Sequence, residues 1–392
     1  MRVGISAFHR LLEPLDRRMM KRVVSLHEGD HGVGSGPNSW GCIRHLRTLL
    51  FAQFTGLNSL REIEHGLAAQ PRSLYHLDLR LPRRSTMADA LANRPWQVFR
   101  DIAQALLAQT SRTLRQQSAE LIELIDASPI PLRDDRFDWA EADARTRGLK
   151  LHLGYDPRAD VPVWMEVTSP KLSDIAAART MPIRAGTVFV FDKGYLDYGW
   201  WHRIDAGGAV FVSRLKTNTH RRDVFARIPK GEAILEDNDL KIGHAKPRGG
   251  ATNPLFDTPL REILVERIGK APLRLITNDL RRPAADIAAL YKERWQIELL
   301  FKWIKQNLCI KRFIGRSENA VKTQIFVALI AFMLLRLLRQ SCQAAESAKN
   351  IIARLRVAIL SQLDLTNRCK PPPRPPVNAP PQPQLSLRLT AC

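Results

Sequence analysis

Cysteine is scarce in this chain and badly placed for metal work. The five residues, Cys42, Cys309, Cys342, Cys369 and Cys392, are odd in number and include no Cys-x2-Cys pair. That excludes a thiolate zinc site of the usual spacing and predicts a reducing compartment. Long hydrophobic runs are missing too. The longest, Ile325 to Leu335, is too short to span a bilayer and is followed by Arg336, so a buried core helix is expected there. The amino-terminal segment mixes Arg, His and acidic residues with its Leu, unlike a signal peptide. These features predict a cytoplasmic protein without a membrane partner. No internal repeat is found.

Acidic residues are the other shortage. Asp and Glu number 39 against 60 Lys and Arg, a formal net charge of +21, which points to a polyanionic partner and first of all to nucleic acid. The imbalance lies at the two ends. Leu299 to Cys392 holds 15 Lys and Arg against 3 Asp and Glu, and residues 1–120 hold 17 against 10. Acids are therefore relatively concentrated in the middle of the chain, between two basic arms.

At 392 residues the chain is long enough for two or three domains. Residues 1–118 read as helical. Ile43 to Leu57 and Leu60 to Leu67 have helical apolar spacing, with Asn58 or Ser59 as a cap between them, and Ser85 is expected to cap a further helix. Two short helices around a tight turn fit a helix-turn-helix or an ordinary bundle equally. His27 and His31 are four apart, but Gly29 and the surrounding loop argue against a metal-binding helix.

From residue 119 the pattern changes. Leu121 to Ile125 is a short apolar run ending in Asp126. Strands are expected over Leu149–Tyr155 and Val161–Thr168, a helix over Leu172–Thr180, a strand over Thr187–Phe191 ending in Asp192, a helix over Tyr195–Ile204 and a strand over Ala209–Ser213. This order implies an α/β fold, a mixed sheet with flanking helices. Residues 214–271 read as an inserted β-rich subdomain, after which Leu273–Thr277 restores a core strand. Trp200-Trp201-His202 is expected to pack on the sheet. Helices are expected from Ala320 to Gln340 and Ile351 to Leu363, and residues 346–392 form a carboxyl-terminal helix with a Pro-rich, disordered tail.

The densest chemistry lies in Tyr291 to Lys305. At about 100° per residue, Tyr291, Arg294, Glu298 and Lys305 fall within an arc of roughly 60°. Ile297, Leu300, Trp303 and Ile304 lie on a different side, which would be buried. A carboxylate flanked by two cations and a phenol suits metal-dependent work on a phosphodiester backbone. The alternative is a solvated face with Arg294 and Glu298 as an (i, i+4) pair. Asp126 and Asp192, each closing an apolar run, either cap the next element or aim into a site at the sheet's edge. With Glu298 they make three acids able to hold divalent ions. Trp295 lies beside Glu298, where it could stack a base or pack at the helix edge.

Tyr291-x2-Arg294-x3-Glu298-x6-Lys305 resembles the signature of the IS-four group of insertion-sequence transposases, within the DDE transposases. The likeness extends to Ile125-Asp126-Ala-Ser128, to Val190-Phe-Asp192-Lys193-Gly194-Tyr195, and to the β-rich insertion that follows Phe211 to Lys216. It implies an RNase H-like catalytic domain over 119–345, with Asp126, Asp192 and Glu298 as catalytic residues and ligands of two Mg²⁺ ions, Mn²⁺ substituting. It also implies cut-and-paste cleavage at the ends of a mobile element and strand transfer into target DNA. Tyr291, Arg294, Lys305 and Trp295 would contact DNA. The segment from Phe8 to Trp96 is similar to an amino-terminal domain of some such enzymes, which would bind the terminal inverted repeats. A homodimer on double-stranded DNA, at the bacterial nucleoid, is the implied assembly. Two other readings stay open: a metal-dependent nuclease that does not join strands, and an inactive DNA-binding relative.

Overall fold

The computed structural model describes residues 6–359, apart from 35, 37–38, 70, 75–80, 116–119, 133–136, 144–145, 247–251, 309, 311 and 342–347. The Pro-rich tail expected after the last helix lies outside the described residues.

The amino-terminal part is helical, as its spacing predicts: α1 (Ala7–Leu12), α2 (Arg17–Leu26), α3 (Cys42–Thr55), α4 (Leu60–Ala68), α5 (Pro71–Leu74), α6 (Arg84–Asn93) and α7 (Trp96–Arg115). Helix α3 stops at Gly56, whose φ of 78° is a left-handed conformation that costs glycine little. A reciprocal cap then starts α4. Ser59 Oγ accepts from the Glu62 N–H, and the Glu62 carboxylate accepts from the Asn58 N–H. The expected cap at Ser85 is not used. Helix α6 starts one residue before it, after Arg83, with no side-chain cap.

The sheet is built from β1 (Leu121–Pro131), β2 (Glu141–Asp143), β3 (Thr146–Asp156), β4 (Val161–Thr168), β5 (Thr187–Phe191), β6 (Val210–Arg214), β7 (Arg221–Ala226), β8 (Ile234–Ile242), β9 (Leu260–Val265) and β10 (Leu273–Thr277). Its order is β2-β3-β1-β5-β6-β10-β9-β8-β7, with β4 also paired to β3. Strands β1, β5 and β6 are parallel, β3 runs antiparallel to β1, and β4 runs antiparallel to β3. This is an RNase H-like mixed sheet. Two short helices lie between its strands, α8 (Asp174–Ala178) and α9 (Tyr198–Ala206). Helix α8 is shorter than the expected 172–180 because Ser173 caps it late.

The insertion is β-rich, as read, but its strands continue the main sheet. Strand β10 covers the outer edge of β6, β9 pairs with β10, and β8 and β7 follow, all antiparallel. An open edge of unpaired backbone groups is thereby moved four strands outward. A buried fork from Arg261 to Asp237, with both contacts at 2.7 Å, ties β9 to β8.

The remaining helices are α10 (Ala284–Glu293), α11 (Trp295–Asn307), α12 (Glu318–Ser341) and α13 (Ala348–Ala358). By length and composition α12 could cross a membrane, yet Val321 and every residue from Ile325 to Leu335 are buried inside the protein. It packs against α1, α3, α6, α7, α13 and β4. One apolar cluster accordingly runs from Ala7 through Leu153 to Ile359 and crosses the expected boundaries at 118 and 345. At the same junction Arg115, at the end of α7, hydrogen-bonds Glu123 of β1 at 3.0 Å and forms an ion pair with Asp156 of β3 at 2.8 Å, all three being buried. On the opposite sheet face, Phe191, Trp200, Trp201 and Phe211 form a fully buried aromatic cluster. The Trp pair therefore packs on the sheet, as expected.

Candidate active site

The parallel pairing of β1 with β5 runs from Leu121↔Thr187 to Ile125↔Phe191. Asp126 is the next residue of β1, and Asp192 is the first residue after β5. Side chains at one level of a parallel pair share a face, and neighbouring strands are about 4.8 Å apart. The two acids therefore stand side by side at the carboxyl end of the sheet. Contrary to the sequence reading, Asp126 does not end its strand. Strand β1 continues to Pro131 against β3, with Asp126 opposite Leu153. Asp192 does follow its strand. Its backbone is extended (φ −83°, ψ 169°) and its carboxylate caps nothing, so it is free to face the site.

The helix carrying the third acid is broken where continuity was expected. Helix α10 ends at Glu293 and α11 begins at Trp295, with Arg294 between them closing i→i+3 bonds on either side. Of the residues expected on the buried side, Ile297, Leu300 and Ile304 are buried and Trp303 is half-buried against the core; Phe301 is buried with them, and α11 packs on β1. Arg294 Nη2 donates to Glu298 Oε1 at 2.7 Å, and its Nη1 lies 3.9 Å from Asp126 Oδ2. Tyr291 Oη donates to Asp192 Oδ1 at 3.3 Å. Lys305 Nζ donates to Ser128 Oγ at 2.7 Å, two residues along β1 from Asp126. All of these predicted residues meet in one neighbourhood. Trp295 is 58% exposed beside them, which removes the core-packing reading.

Sequence reading missed Arg214, whose Nη1 lies 3.9 Å from Asp192 Oδ1. Strands β5 and β6 pair in parallel as far as Val190↔Val212, so Arg214 sits at the level of Asp192 one strand over. The available signal was a cation closing the next parallel strand. Ser128, the anchor of Lys305, carries no local signal of that role.

Burial raises the Asp126 carboxyl to about 6. The Ala127 N–H and Arg294 oppose that shift, and the charges of Glu298 and Asp192 reinforce it. The Tyr291 phenol is raised, first by burial and then by the Asp192 charge. Burial works to lower the Arg294 pKa, but its bond to Glu298 and nearby negative charge raise it overall. Among the described residues no three His, Cys, Asp or Glu side chains lie close enough together to hold a metal ion. The acids are instead engaged by Arg294, Arg214 and Tyr291. Their hard oxygen donors, and a mutual repulsion that Arg294 only partly offsets, nonetheless suit a divalent cation. His27 Nε2 is bonded to Asp101 at 2.6 Å, linking α2 to α7.

Comparison with known proteins agrees with this geometry. Residues 117–334 match the family model described as a transposase DDE domain, and residues 3–80 match a domain of unknown function. A protein of Sinorhizobium fredii named as transposase y4zB is 40% identical over 291 residues, covering 74% of this chain and 77% of the relative. A protein of Geobacillus stearothermophilus named as the transposase of insertion sequence element IS5377 is 25% identical over 299 residues, covering 74% and 76%. Among solved structures, piggyBac transposase in a synaptic complex with hairpin DNA shares the fold at a TM-score of 0.52 and 9% identity, over 92% of this chain and 81% of that one. A DDE domain depends on divalent metal, and this chain belongs to the DDE transposase family.

Proposed function

We propose that Asp126, Asp192 and Glu298 are the catalytic acids of this DNA transposase, and that they hold two Mg²⁺ ions, for which Mn²⁺ substitutes. The observation that carries this reading is the common level of Asp126 and Asp192 next to the paired ends of β1 and β5, with Glu298 joined to Asp126 through Arg294. When bound, the ions supply activation of the attacking oxygen and stabilisation of the leaving one. The chain's own groups do the rest. Arg294 offers a forked contact to a phosphate and Lys305 a point charge, held over β1 by Ser128. Tyr291 donates its hydroxyl to a phosphate oxygen. Trp295, exposed beside the acids, stacks an unpaired base.

The reaction in this proposal is cut-and-paste transposition of the IS-four type. Water attacks a phosphodiester at the element boundary and frees a 3′-hydroxyl. That hydroxyl then attacks target DNA in line, so one phosphodiester forms as another breaks. Terminal inverted repeats and target DNA are the substrates, a homodimer pairs the two ends, and the site of action is the bacterial nucleoid. The amino-terminal helices bind the repeats. The test is nicking and joining of a duplex bearing the element's end with Mg²⁺, by wild type and by Asp192→Ala. The expected result is nicked and joined product from wild type alone. Equal nicking by both chains overturns the site, and nicking without joining converts the enzyme to a nuclease.

A further inference from the structure

Helix α2 carries Arg17, Arg18, Lys21 and Arg22, all exposed, and no acidic residue within its ten. None of the four has an ion-pair partner among the described residues. At about 100° per residue they occupy one arc of about 140°, together with exposed Ser25. Met19, Met20, Val23, Val24 and an exposed Leu26 occupy the rest of the circumference, and Met20 and Val24 are buried where the helix packs on α3 and α7. Arg17 with Lys21 and Arg18 with Arg22 are like charges at (i, i+4), an arrangement that weakens a helix on its own. The tertiary structure nonetheless holds all four outward, and His27 bonded to Asp101 fixes the carboxyl end of the helix.

We propose that the exposed face of α2 is a sequence-independent clamp on the phosphate backbone of duplex DNA, an inference that rests on the transposase reading above. The four cations span about 8 Å of helix axis. Duplex DNA carries one charge per about 1.7 Å, so a stretch of that length presents about four. The neighbouring helices suit the task less well. Helix α3 is mostly buried, and the exposed side of α4 sets Glu62 and Glu64 beside Arg61. A membrane surface is the other polyanion that a basic amphipathic helix can meet, but it would need the apolar face that α3 and α7 cover. Phosphate contacts position a protein on DNA without reading its sequence. This clamp therefore grips any duplex.

The test uses the full chain with Arg17, Arg18, Lys21 and Arg22 all changed to Gln, and reads affinity for two unrelated duplexes by fluorescence anisotropy from 50 to 200 mM NaCl. The slope of log affinity against log salt is expected to become shallower by about 3.6, so that wild type loses about 150-fold more affinity over that range than the variant. The change is expected to be the same for both duplexes. The pairs Arg17→Gln with Lys21→Gln, and Arg18→Gln with Arg22→Gln, are each expected to shift the slope by about 1.8, which serves if the fourfold variant fails to fold. An unchanged slope in folded variants overturns the clamp and leaves the acid triad standing, since that reading depends on the Asp192→Ala nicking assay. Loss on one duplex only makes α2 a sequence reader and overturns the proposal. So does a loss of binding to phosphatidylserine vesicles with duplex affinity intact. A wild-type chain that binds neither duplex at 50 mM salt overturns both readings.

Discussion

Arg294 donates to Glu298 at 2.7 Å while standing 3.9 Å from Asp126, so a single guanidinium bridges acids from a helix and a strand. Its side chain is 16% exposed, and in that setting it is the nearest cation balancing both carboxylates. A divalent ion competes for the same negative charge. Arg294→Ala is expected to lower the melting temperature of the metal-free protein and to bind Mn²⁺ about tenfold more tightly, which adds about 1.4 kcal/mol of stabilisation at saturation. Calorimetric melts with and without Mn²⁺ measure both effects. An equal gain from Mn²⁺ in the two chains would mean that Arg294 and the ion do not compete.

Trp295 separates stability from function. At 58% exposure its removal leaves little packing to lose, so Trp295→Ala is expected to change folding stability by less than about 0.5 kcal/mol. Stacking a base is worth about 1–3 kcal/mol, so cleavage of an end-bearing duplex is expected to fall between about 5- and 150-fold. Trp295→Phe, which keeps an aromatic face, is expected to recover most of that loss. Urea melts and nicking rates on the same three chains check it, and full activity in the Ala variant would remove Trp295 from the DNA contact.

The parts of this site that were legible depend on local periodicity. Tyr291, Arg294, Glu298 and Lys305 could be projected to one face because a helix turns by a fixed angle, and a one-residue irregularity at Arg294 does not undo that. The apolar runs before Asp126 and Asp192 marked buried strands. The continuation of β1 through Pro129 and Pro131 was hidden, because two prolines in three residues read as a strand's end. They are tolerated because β5 stops at Phe191, leaving β1 with β3 as its partner beyond Ile125. Arg214 was invisible for a different reason. Its place beside Asp192 follows from the register of β6 on β5, which no local pattern encodes. Likewise, nothing within 214–271 states that β9 would pair with β10 and extend the sheet.

His45 is wholly buried in α3, packed edge-on against Phe99, and neither ring nitrogen has a hydrogen-bond partner among the described residues. Burial, helped by the charge of Arg94, lowers its pKa from 6.5 to about 3. The folded chain therefore keeps His45 neutral where the unfolded chain takes up a proton. The sign follows directly: its contribution to stability is complete above pH 6.5 and is lost as the pH falls toward about 3. Between pH 7 and pH 5 this one residue is expected to cost about 2 kcal/mol. His45→Leu, similar in volume and without a titrating group, should lack that part of the acid sensitivity. Every other titrating group is common to both chains, so the difference between their urea midpoints at pH 7 and pH 5 isolates His45. Parallel loss of stability in both chains would show that the ring is protonated in the fold or finds a partner there.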